Sequence, residues 1–212
     1  MLYLALSCFQ GRTMADAART LFELAPGRVG LQLTPGCAPS VLDVDCPMRT
    51  HHGFSRLALR AKVWDGGNLI WHGDSVHPPQ DDEVPDGWCA PPDFVMETMY
   101  PGYAALSNGD QLSEAMDAGR WMAVDVAHLG IQMHRGVLPE PVLRRLLDYA
   151  RIAEVHVSTS REARDTHAEI STRTWGLEWA RDRLAAGTPV VLECYMHKLT
   201  RDERLGQLAL LM

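Results

Sequence analysis

The sequence predicts an α/β fold, a compact (β/α)8 barrel in which some of the outer helices are short or missing. Strand-like apolar runs alternate with amphipathic helices in the second half of the chain, a pattern typical of βαβ units and a parallel sheet. Several of the apolar runs end in side chains that can bind metal, and active sites of (β/α)8 barrels lie at the carboxyl ends of the strands. The eight strand candidates lie near Tyr3, Val29, Met48, Leu69, Phe94, Trp121, Ile152 and Pro189.

The expected boundaries of these elements follow from hydrophobic periodicity and from stop signals such as Pro26-Gly27. Strands are expected at residues 3–8, 29–33, 48–54, 69–77, 94–97, 121–126, 152–157 and 189–194. Helices are expected at residues 14–25, 110–118, 139–151, 172–186 and 201–211. Residues 37–93 are rich in Pro and Gly, so the strands there are expected to be joined by loops or short turns.

The chain length fits one domain, residues 1–212, with a single sizeable core. Because this is the small end of the size range of (β/α)8 barrels, the outer helices cannot all be long. An open doubly wound sheet is the second choice. That fold would call for a Gly-rich phosphate loop after the first strand, and Ser7-Cys8-Phe9-Gln10-Gly11 does not have that pattern.

Composition excludes several functional classes. Apolar residues make up 46% and charged residues 22% of the chain, and no run approaches the roughly 18 apolar residues of a membrane span, so no membrane partner is expected. The net charge of −7 makes a nucleic-acid partner unlikely. Five cysteines without CxxC spacing argue against a disulfide framework and a zinc–cysteine site, and they fit a reducing, cytoplasmic location.

Candidate metal ligands recur along the chain, and all of them are imidazoles or carboxylates. Such donors suit Zn, Mn, Fe or Mg ions, and the full set could hold two or three divalent ions with bridging carboxylates. At strand three, His51 is almost as good a candidate as its neighbour. The candidates are His52, His77, Glu97, Asp125, His128, His156, Asp165, His167 and Glu193.

Glu97 and Glu193 are the strongest candidates among them. Each stands at the end of an apolar strand, where burying a carboxylate is costly unless it is paired or bound to metal. Asp165, by contrast, could be an ordinary loop aspartate. Arg161 and Arg164 lie between two proposed ligands, so they are candidates for binding an anionic group of a substrate.

The order and spacing of these residues resemble the xylose isomerase-like TIM-barrel superfamily. This superfamily includes sugar isomerases and epimerases and the endonuclease IV type of apurinic-site nuclease. The resemblance covers just over half of the chain, and Asp125-x-x-His128 and Asp165-x-His167 are its most specific pieces. The matching pieces are Ser-Val-His77-Pro, Met-Glu97, Val-Asp125-Val-Ala-His128, Val-His156-Val, Asp165-Thr-His167 and Val-Leu-Glu193.

The resemblance implies roles for individual residues. Glu97, Asp125, His156 and Glu193 match the shared metal core, and in the isomerases the two glutamates also act as acid and base. In the endonuclease-like members a three-metal cluster is completed by residues that match His52, His77, His128, Asp165 and His167.

Two features depart from the isomerase and endonuclease pattern. Many members have an Ile/Leu-Gly-x-Gly turn after the Asp-x-His piece, whereas this chain has Ile170-Ser-Thr-Arg. His52-Gly-Phe-Ser and Asp165-Thr-His167, with Trp175 following, resemble a further branch, the multinuclear iron oxidative enzymes that modify peptides.

The function expected from the sequence is therefore a divalent-metal-dependent isomerase or epimerase acting on a small hydroxy-carbonyl compound. The alternatives are an endonuclease IV-like phosphodiester hydrolase and an iron-dependent oxidative enzyme acting on a peptide. A degenerate barrel that serves only as a binding module is a fourth, non-enzymatic alternative.

Overall fold

In the computed structural model, the described residues are 1–33, 42–53, 74–84, 88 and 94–212, without the side chains of His52 and Gly53. Eight parallel strands form a closed barrel, which confirms the expected fold class. Two further strands pair as an antiparallel hairpin beside it. The strands are β1 Leu2–Ala5, β2 Val29–Leu33, β3 Met48–Gly53, β4 Ser75–His77, β5 Met96–Glu97, β6 Met122–Asp125, β7 Ile152–Val157, β8 Thr159–Arg161, β9 Arg164–Ala168 and β10 Val190–Leu192.

The barrel runs in the order β1 to β7 and closes through β10, which pairs with both β7 and β1. Strands β8 and β9 form the hairpin between β7 and the next helix. Six α-helices lie in the described part of the chain, and none of them is long and apolar enough to cross a membrane. The helices are α1 Met14–Phe22, α2 Gly109–Asp117, α3 Val126–His134, α4 Glu140–Leu147, α5 Leu177–Ala185 and α6 Arg201–Ala209.

The expected elements are present, but α5 begins at Leu177 instead of residue 172 and α4 ends at Leu147 instead of residue 151. Strands β2 and β7 have the expected boundaries, whereas the first strand stops at Ala5 and continues as a short 3-10 helix, Leu6–Cys8. The part of the fourth expected strand at residues 69–73 lies outside the described residues, and the strand is seen at Ser75–His77.

Helix α3 and the β8–β9 hairpin were not predicted. Helix α3 follows β6 without a loop, and Asp125 is its N-cap, because the side chain accepts a hydrogen bond from the His128 amide. The helix is buried on most sides, so its apolar residues run on from the strand without a clear change of period. The hairpin is polar and half-exposed, so its strands have no apolar run to mark them.

The main apolar core lies between the strands and the helices. Residues such as Leu4, Leu31, Val124, Val155 and Leu192 point outward from the strands and pack in this shell. A small second cluster, Tyr3, Ala5, Cys8 and Val191, fills part of the barrel interior. The rest of the interior is polar, which sets this barrel apart from those filled with branched apolar side chains.

Gly30 lies in strand β2 where the backbone passes close to the Tyr3 side chain of β1. A Cβ atom at Gly30 would lie 2.5 Å from the Tyr3 ring and 2.6 Å from the Pro47 carbonyl oxygen. The Tyr3 ring also packs beneath the Arg49 guanidinium, 5.8 Å from its centroid, so it has little freedom to move away.

We expect Gly30→Ala to destabilise the protein by about 1–3 kcal/mol, because a backbone oxygen and a packed ring must both move. Gly206→Ala is the matched control: it lies inside α6 with no atom within 4 Å of its added Cβ, and it should stabilise by about 0.5–1 kcal/mol. Thermal unfolding of the two variants measures both effects. Equal melting temperatures for the two would contradict the packing described for Gly30.

Candidate metal centre

The candidate site lies at the carboxyl ends of the barrel strands. Side chains alternate between the two faces of a strand, so residues two apart point to the same side. On β7 this brings Glu154 and His156 into the interior, and on β3 it brings Arg49 and His51 there. Strands β3 and β7 thereby each contribute two polar groups, one above the other.

Four buried side chains form the centre of the site: Glu97, Asp125, His156 and Glu193. One ligand atom from each lies within 4.8 Å of the others. His156 Nδ1 is 3.1 Å from Glu97 Oε1 and 3.5 Å from Glu193 Oε1. Because β5, β6, β7 and β10 are consecutive neighbours in the barrel, their parallel pairing places these groups side by side at the carboxyl ends of the strands.

His51 and His77 approach Glu97 from β3 and β4. His77 Nε2 is 2.6 Å and His51 Nε2 is 3.2 Å from Glu97 Oε2, and the three residues form a second group of candidate ligands. The two histidines of β3 were alternatives from the sequence, and the structure brings His51 into the cluster. The side chain of His52, the preferred candidate, lies outside the described residues.

A third group surrounds Asp165 on the hairpin. His128 Nε2 lies 3.2 Å and His167 Nε2 lies 3.1 Å from the same oxygen, Asp165 Oδ2. His128 Nε2 is also 3.8 Å from Asp125 Oδ2, so this group adjoins the central four side chains. The two sequence pieces Asp125-x-x-His128 and Asp165-x-His167 therefore meet in space.

Hydrogen bonds fix which ring nitrogen of the outer histidines carries the proton. His128 Nδ1 donates to the Thr98 carbonyl oxygen at 2.9 Å, and His167 Nδ1 donates to the Glu193 carbonyl oxygen at 3.1 Å. In the neutral tautomer each Nε2 then presents a lone pair towards Asp165 Oδ2. The two Nε2 lone pairs and Asp165 Oδ2 would repel one another, so a proton or a cation must lie between them.

Several buried polar atoms of the cluster have no hydrogen-bond partner of acceptable geometry. They are His51 Nε2, Glu97 Oε2 and Asp125 Oδ2. The other oxygen of Asp125 already accepts from the His128 amide at 2.9 Å, so only Oδ2 remains free to bind a ligand. A buried polar atom left without a partner costs about 1–3 kcal/mol. The donor types and the unsatisfied atoms fit divalent metal ions.

The pKa shifts of the metal-free protein reflect this crowding. Burial, followed by the charges of Glu97 and Asp125 and opposed by His156, raises the pKa of Glu193 to about 7. Burial also lowers the pKa of His51 to about 4, and His77 adds to that effect. His51 is therefore neutral near pH 7, and the Nε2 that faces Glu97 can act as a ligand atom.

On the hairpin the pKa shifts are reversed: the pKa of the carboxyl group is lowered and the pKa of the imidazole is raised. Burial disfavours the charge of Asp165, but the hydrogen bonds and charges of His128 and His167 outweigh burial and hold its pKa well below the usual range. Burial would likewise lower the pKa of His167, but its hydrogen bond and ion pair with Asp165 raise it to about 9. Without metal, protons on these imidazoles take the place of a cation.

His167 has a strained backbone, with φ of +42°. A non-glycine residue in this region costs about 1–3 kcal/mol, and such residues cluster at functional sites. Its carbonyl oxygen accepts from the Tyr195 amide at 2.9 Å, and its ring is bound to the Glu193 carbonyl oxygen. These contacts hold the imidazole over Asp165.

A cavity of about 290 Å³ opens onto the cluster. Tyr100 forms part of one wall, where its ring packs edge-on against His128 at 5.0 Å and against Tyr103 at 5.3 Å. Glu193 lines the cavity, whereas Glu97 is fully buried and is not among the lining residues. The lining residues are Ser7, Gln32, His51, His77, Met99, Tyr100, Tyr103, His128, Asp165, His167 and Glu193.

Arg161 and Arg164, the candidates for substrate binding, are not brought to this cavity. They are opposite one another near the hairpin turn and are exposed. Among the described residues, no arginine or lysine lines the cavity.

The sequence reasoning missed the polar layer beneath the candidate ligands. Glu154 is fully buried and accepts hydrogen bonds from His156, Ser75 and Arg49. The signal was present in the strand alternation, because Glu154 stands two residues before His156 and must share its face. Tyr100 and Tyr103 follow Glu97 in an irregular segment, where no period could have placed them.

Comparison of the chain with protein-family models and with curated proteins found no match. Its class therefore follows from the fold and the site. It is an α/β protein with a closed barrel of eight parallel strands, and a cluster of candidate metal ligands lies at the carboxyl ends of those strands.

We expect Glu193→Gln to stabilise the metal-free protein at pH 8 but hardly at pH 5. A raised carboxyl pKa means that the folded state binds the proton more tightly than the unfolded state. The stability that protonated Glu193 contributes to the wild type is then fully present below about pH 4.5, and it is lost as the pH rises through about 7. The amide of the variant does not titrate.

Thermal unfolding of chelator-treated wild type and variant at the two pH values measures the difference. A melting-temperature difference that is the same at pH 5 and pH 8 would show that Glu193 carries no raised pKa.

Proposed function

We propose that this chain is a divalent-metal-dependent enzyme resembling the xylose isomerase-like superfamily. One observation carries the proposal: imidazole nitrogens and carboxylate oxygens converge inside the barrel at distances that require a proton or a cation between them, and some of these atoms have no hydrogen-bond partner. The other nitrogen of His51, His128, His156 and His167 is bound by an outer acceptor. Such outer-shell hydrogen bonds are typical of histidines that bind metal.

The ligand groups suggest how ions would be distributed. Glu97, Asp125, His156 and Glu193 would hold one ion, and His51 and His77 would hold a second, with Glu97 as the bridge. Asp165, His128 and His167 would complete a third position. Imidazoles mixed with carboxylates suit Zn, Mn or Fe, and Mg is the least suited because it prefers oxygen ligands.

The reaction that we favour is isomerisation of a small hydroxy-carbonyl compound. A divalent ion held by these residues would supply Lewis-acid chemistry to the carbonyl and neighbouring hydroxyl oxygens of such a compound. Glu193 is placed to move the proton, because its carboxylate lines the cavity whereas that of Glu97 does not. The cavity of about 290 Å³ suits a small molecule.

The burial of Glu97 favours an isomerase over an epimerase. The superfamily resemblance assigns acid and base roles to Glu97 and Glu193 on opposite faces of the substrate. Glu97 is fully buried and is approached by four imidazoles, from His51, His77, His128 and His156. Inversion of a stereocentre requires groups on two faces, whereas isomerisation needs a single base on one face, which Glu193 can supply.

A second candidate is multinuclear iron-dependent oxidation of a peptide. Isomerisation needs one or two ions, and the additional group formed by Asp165, His128 and His167 provides ligands for another. This surplus of ligands favours a multinuclear centre. The His52-Gly-Phe-Ser piece that resembles the iron enzymes lies largely outside the described residues.

Phosphodiester hydrolysis is the least favoured of the three metal-dependent reactions. The net charge of −7 opposes the approach of a polyanion, and among the described residues no basic side chain lines the cavity. Only the bound ions could hold a phosphate group there.

Metal analysis of protein purified without chelators tests the proposal. We expect two to three equivalents of bound divalent metal, falling by about one in Asp165→Asn, because that carboxylate holds only the third group. Arg164→Gln, an exposed neighbour on the same hairpin, is the control and should bind as much metal as wild type. Less than one equivalent in the wild type would refute the metal-dependent function.

The identity of the reaction can be tested with the metal-loaded protein and a panel of small aldoses and ketoses. We expect Glu193→Gln to lower the isomerisation rate by about 10²–10⁴-fold, the usual contribution of a general acid or base. Iron dependence with oxygen uptake would favour the oxidative candidate instead. Cleavage of an abasic-site oligonucleotide would favour the hydrolase.

A further inference from the structure

Beneath the ligand cluster lies a polar group formed by Glu154, Arg49 and Ser75. The Glu154 carboxylate has no exposed surface, and its oxygens accept from Arg49, Ser75 and His156 and, at 3.5 Å, from Gln32 Nε2, four donors on four different strands. Glu154 also forms a candidate metal group with His51 and His156, but both of its oxygens are already occupied by hydrogen-bond donors, so the proposed chemistry does not use it as a ligand. Its hydrogen bonds nevertheless bear on which ring nitrogen carries the proton in two of the histidines above it.

The first histidine is His156, which it contacts directly. His156 Nε2 lies 2.6 Å from Glu154 Oε1. A carboxylate can only accept, so the imidazole must carry its proton on Nε2. Nδ1 is the atom directed at Glu97 and Glu193, at 3.1 and 3.5 Å. Without metal it carries a second proton towards these carboxylates, and a bound cation would replace that proton and use Nδ1 as its ligand atom.

The second histidine is His51, which Glu154 reaches through Ser75. The Ser75 hydroxyl group donates its single proton to Glu154 Oε1 at 2.7 Å. It can therefore only accept from His51 Nδ1, at 2.8 Å. His51 must then carry its proton on Nδ1, which leaves Nε2 as the lone pair that faces Glu97.

Arg49 keeps Glu154 available as a fixed acceptor. Its Nε donates to Glu154 Oε2, the oxygen that the histidine and serine do not use. Arg49 is held in turn by the Tyr3 ring and by Asp74, whose Oδ1 is 3.7 Å from its guanidinium. The buried anion is thus balanced by a cation that is anchored from the outer side.

We propose that Glu154 is a positioning residue that sets the tautomers of two candidate metal ligands, His156 directly and His51 through the Ser75 hydroxyl group. The two histidines use different ring nitrogens as ligand atoms, Nδ1 and Nε2. One acceptor with one intervening hydroxyl group produces both arrangements. This inference rests on the metal-binding part of the proposed function.

Two variants separate the direct effect from the relayed effect. Ser75→Ala removes only the link to His51. The double variant Arg49→Met, Glu154→Met removes the acceptor for both histidines. Replacing both members of a buried ion pair with apolar residues of similar volume is often neutral or stabilising, so the double variant is expected to fold.

The first measurement is made on metal-free protein, with ¹⁵N-labelled histidine and long-range ¹H–¹⁵N correlation spectra. We expect the wild type to show a proton on His156 Nε2, in addition to one on Nδ1 facing Glu97, and to show His51 protonated on Nδ1 alone. Ser75→Ala should change the His51 pattern alone, and the double variant should change both. Unchanged patterns for both rings in the double variant would overturn the proposal, whatever the protein binds or catalyses.

The second measurement is the affinity for Zn²⁺ or Mn²⁺, obtained by competition with a chelator. We expect the double variant to lose about 10- to 100-fold in affinity, the usual effect of removing an outer-shell partner, and Ser75→Ala to lose less. Tyr149→Phe is the matched control, because it removes a part-buried hydrogen bond to the Arg120 carbonyl oxygen, and neither residue belongs to the cluster. Wild-type affinity in the double variant, or an equal loss in the control, would contradict the positioning role.

The two measurements can refute the proposed function and the role of Glu154 independently of each other. A wild type that binds no metal but shows the expected tautomers would refute the proposed function and leave the role of Glu154 standing. A wild type that binds metal but has the opposite tautomers would do the reverse.

Discussion

The rest of the structure depends on one constraint. Carboxylates and imidazoles are buried together inside the barrel, and the protein alone leaves some of their polar atoms without a hydrogen-bond partner. Glu97, Asp125 and Glu193 lie close together inside the barrel, and oxygens of Glu97 and Asp125 have no hydrogen-bond partner. Burial of such groups is costly unless charge and hydrogen bonding are satisfied. A barrel that retains them loses stability and keeps a cluster of side chains that could bind cations.

The architecture makes this sacrifice tolerable. The apolar packing lies almost entirely in the shell between strands and helices, so the interior is free to carry polar groups. Buried hydrogen bonds then fix the geometry, from the Asp125 cap on α3 to the Thr98 and Glu193 carbonyl oxygens that hold His128 and His167. The strained backbone of His167 shows that the hairpin is held in place by these contacts.

Much of the fold and part of the candidate site followed from simple rules. Strand ends in the sequence pointed to Glu97, Asp125, His156 and Glu193, because the carboxyl ends of parallel strands meet at one edge of a barrel. Adjacent histidines on β3 could not be separated, since a shift of one residue moves a side chain to the other face of the strand. Glu154 was overlooked although its spacing from His156 predicts a shared face.

Other features lay beyond sequence patterns. Helix α3 continues an apolar strand without a break, and the polar β8–β9 hairpin has no hydrophobic period. The contact of Tyr100 with His128 depends on an irregular segment after β5, which tertiary contacts define. Gln132, for example, holds this segment by donating to the Met99 and Leu106 carbonyl oxygens.

The most direct test of the central claim is anomalous diffraction from crystals of the metal-loaded protein. The account predicts a peak inside the barrel, about 2.0–2.2 Å from the ligand atoms of Glu97, Asp125, His156 and Glu193. The His156 ligand atom should be Nδ1, and the Asp125 ligand atom should be Oδ2. Metal bound only at surface groups, with the central side chains still facing one another unbridged, would contradict the account.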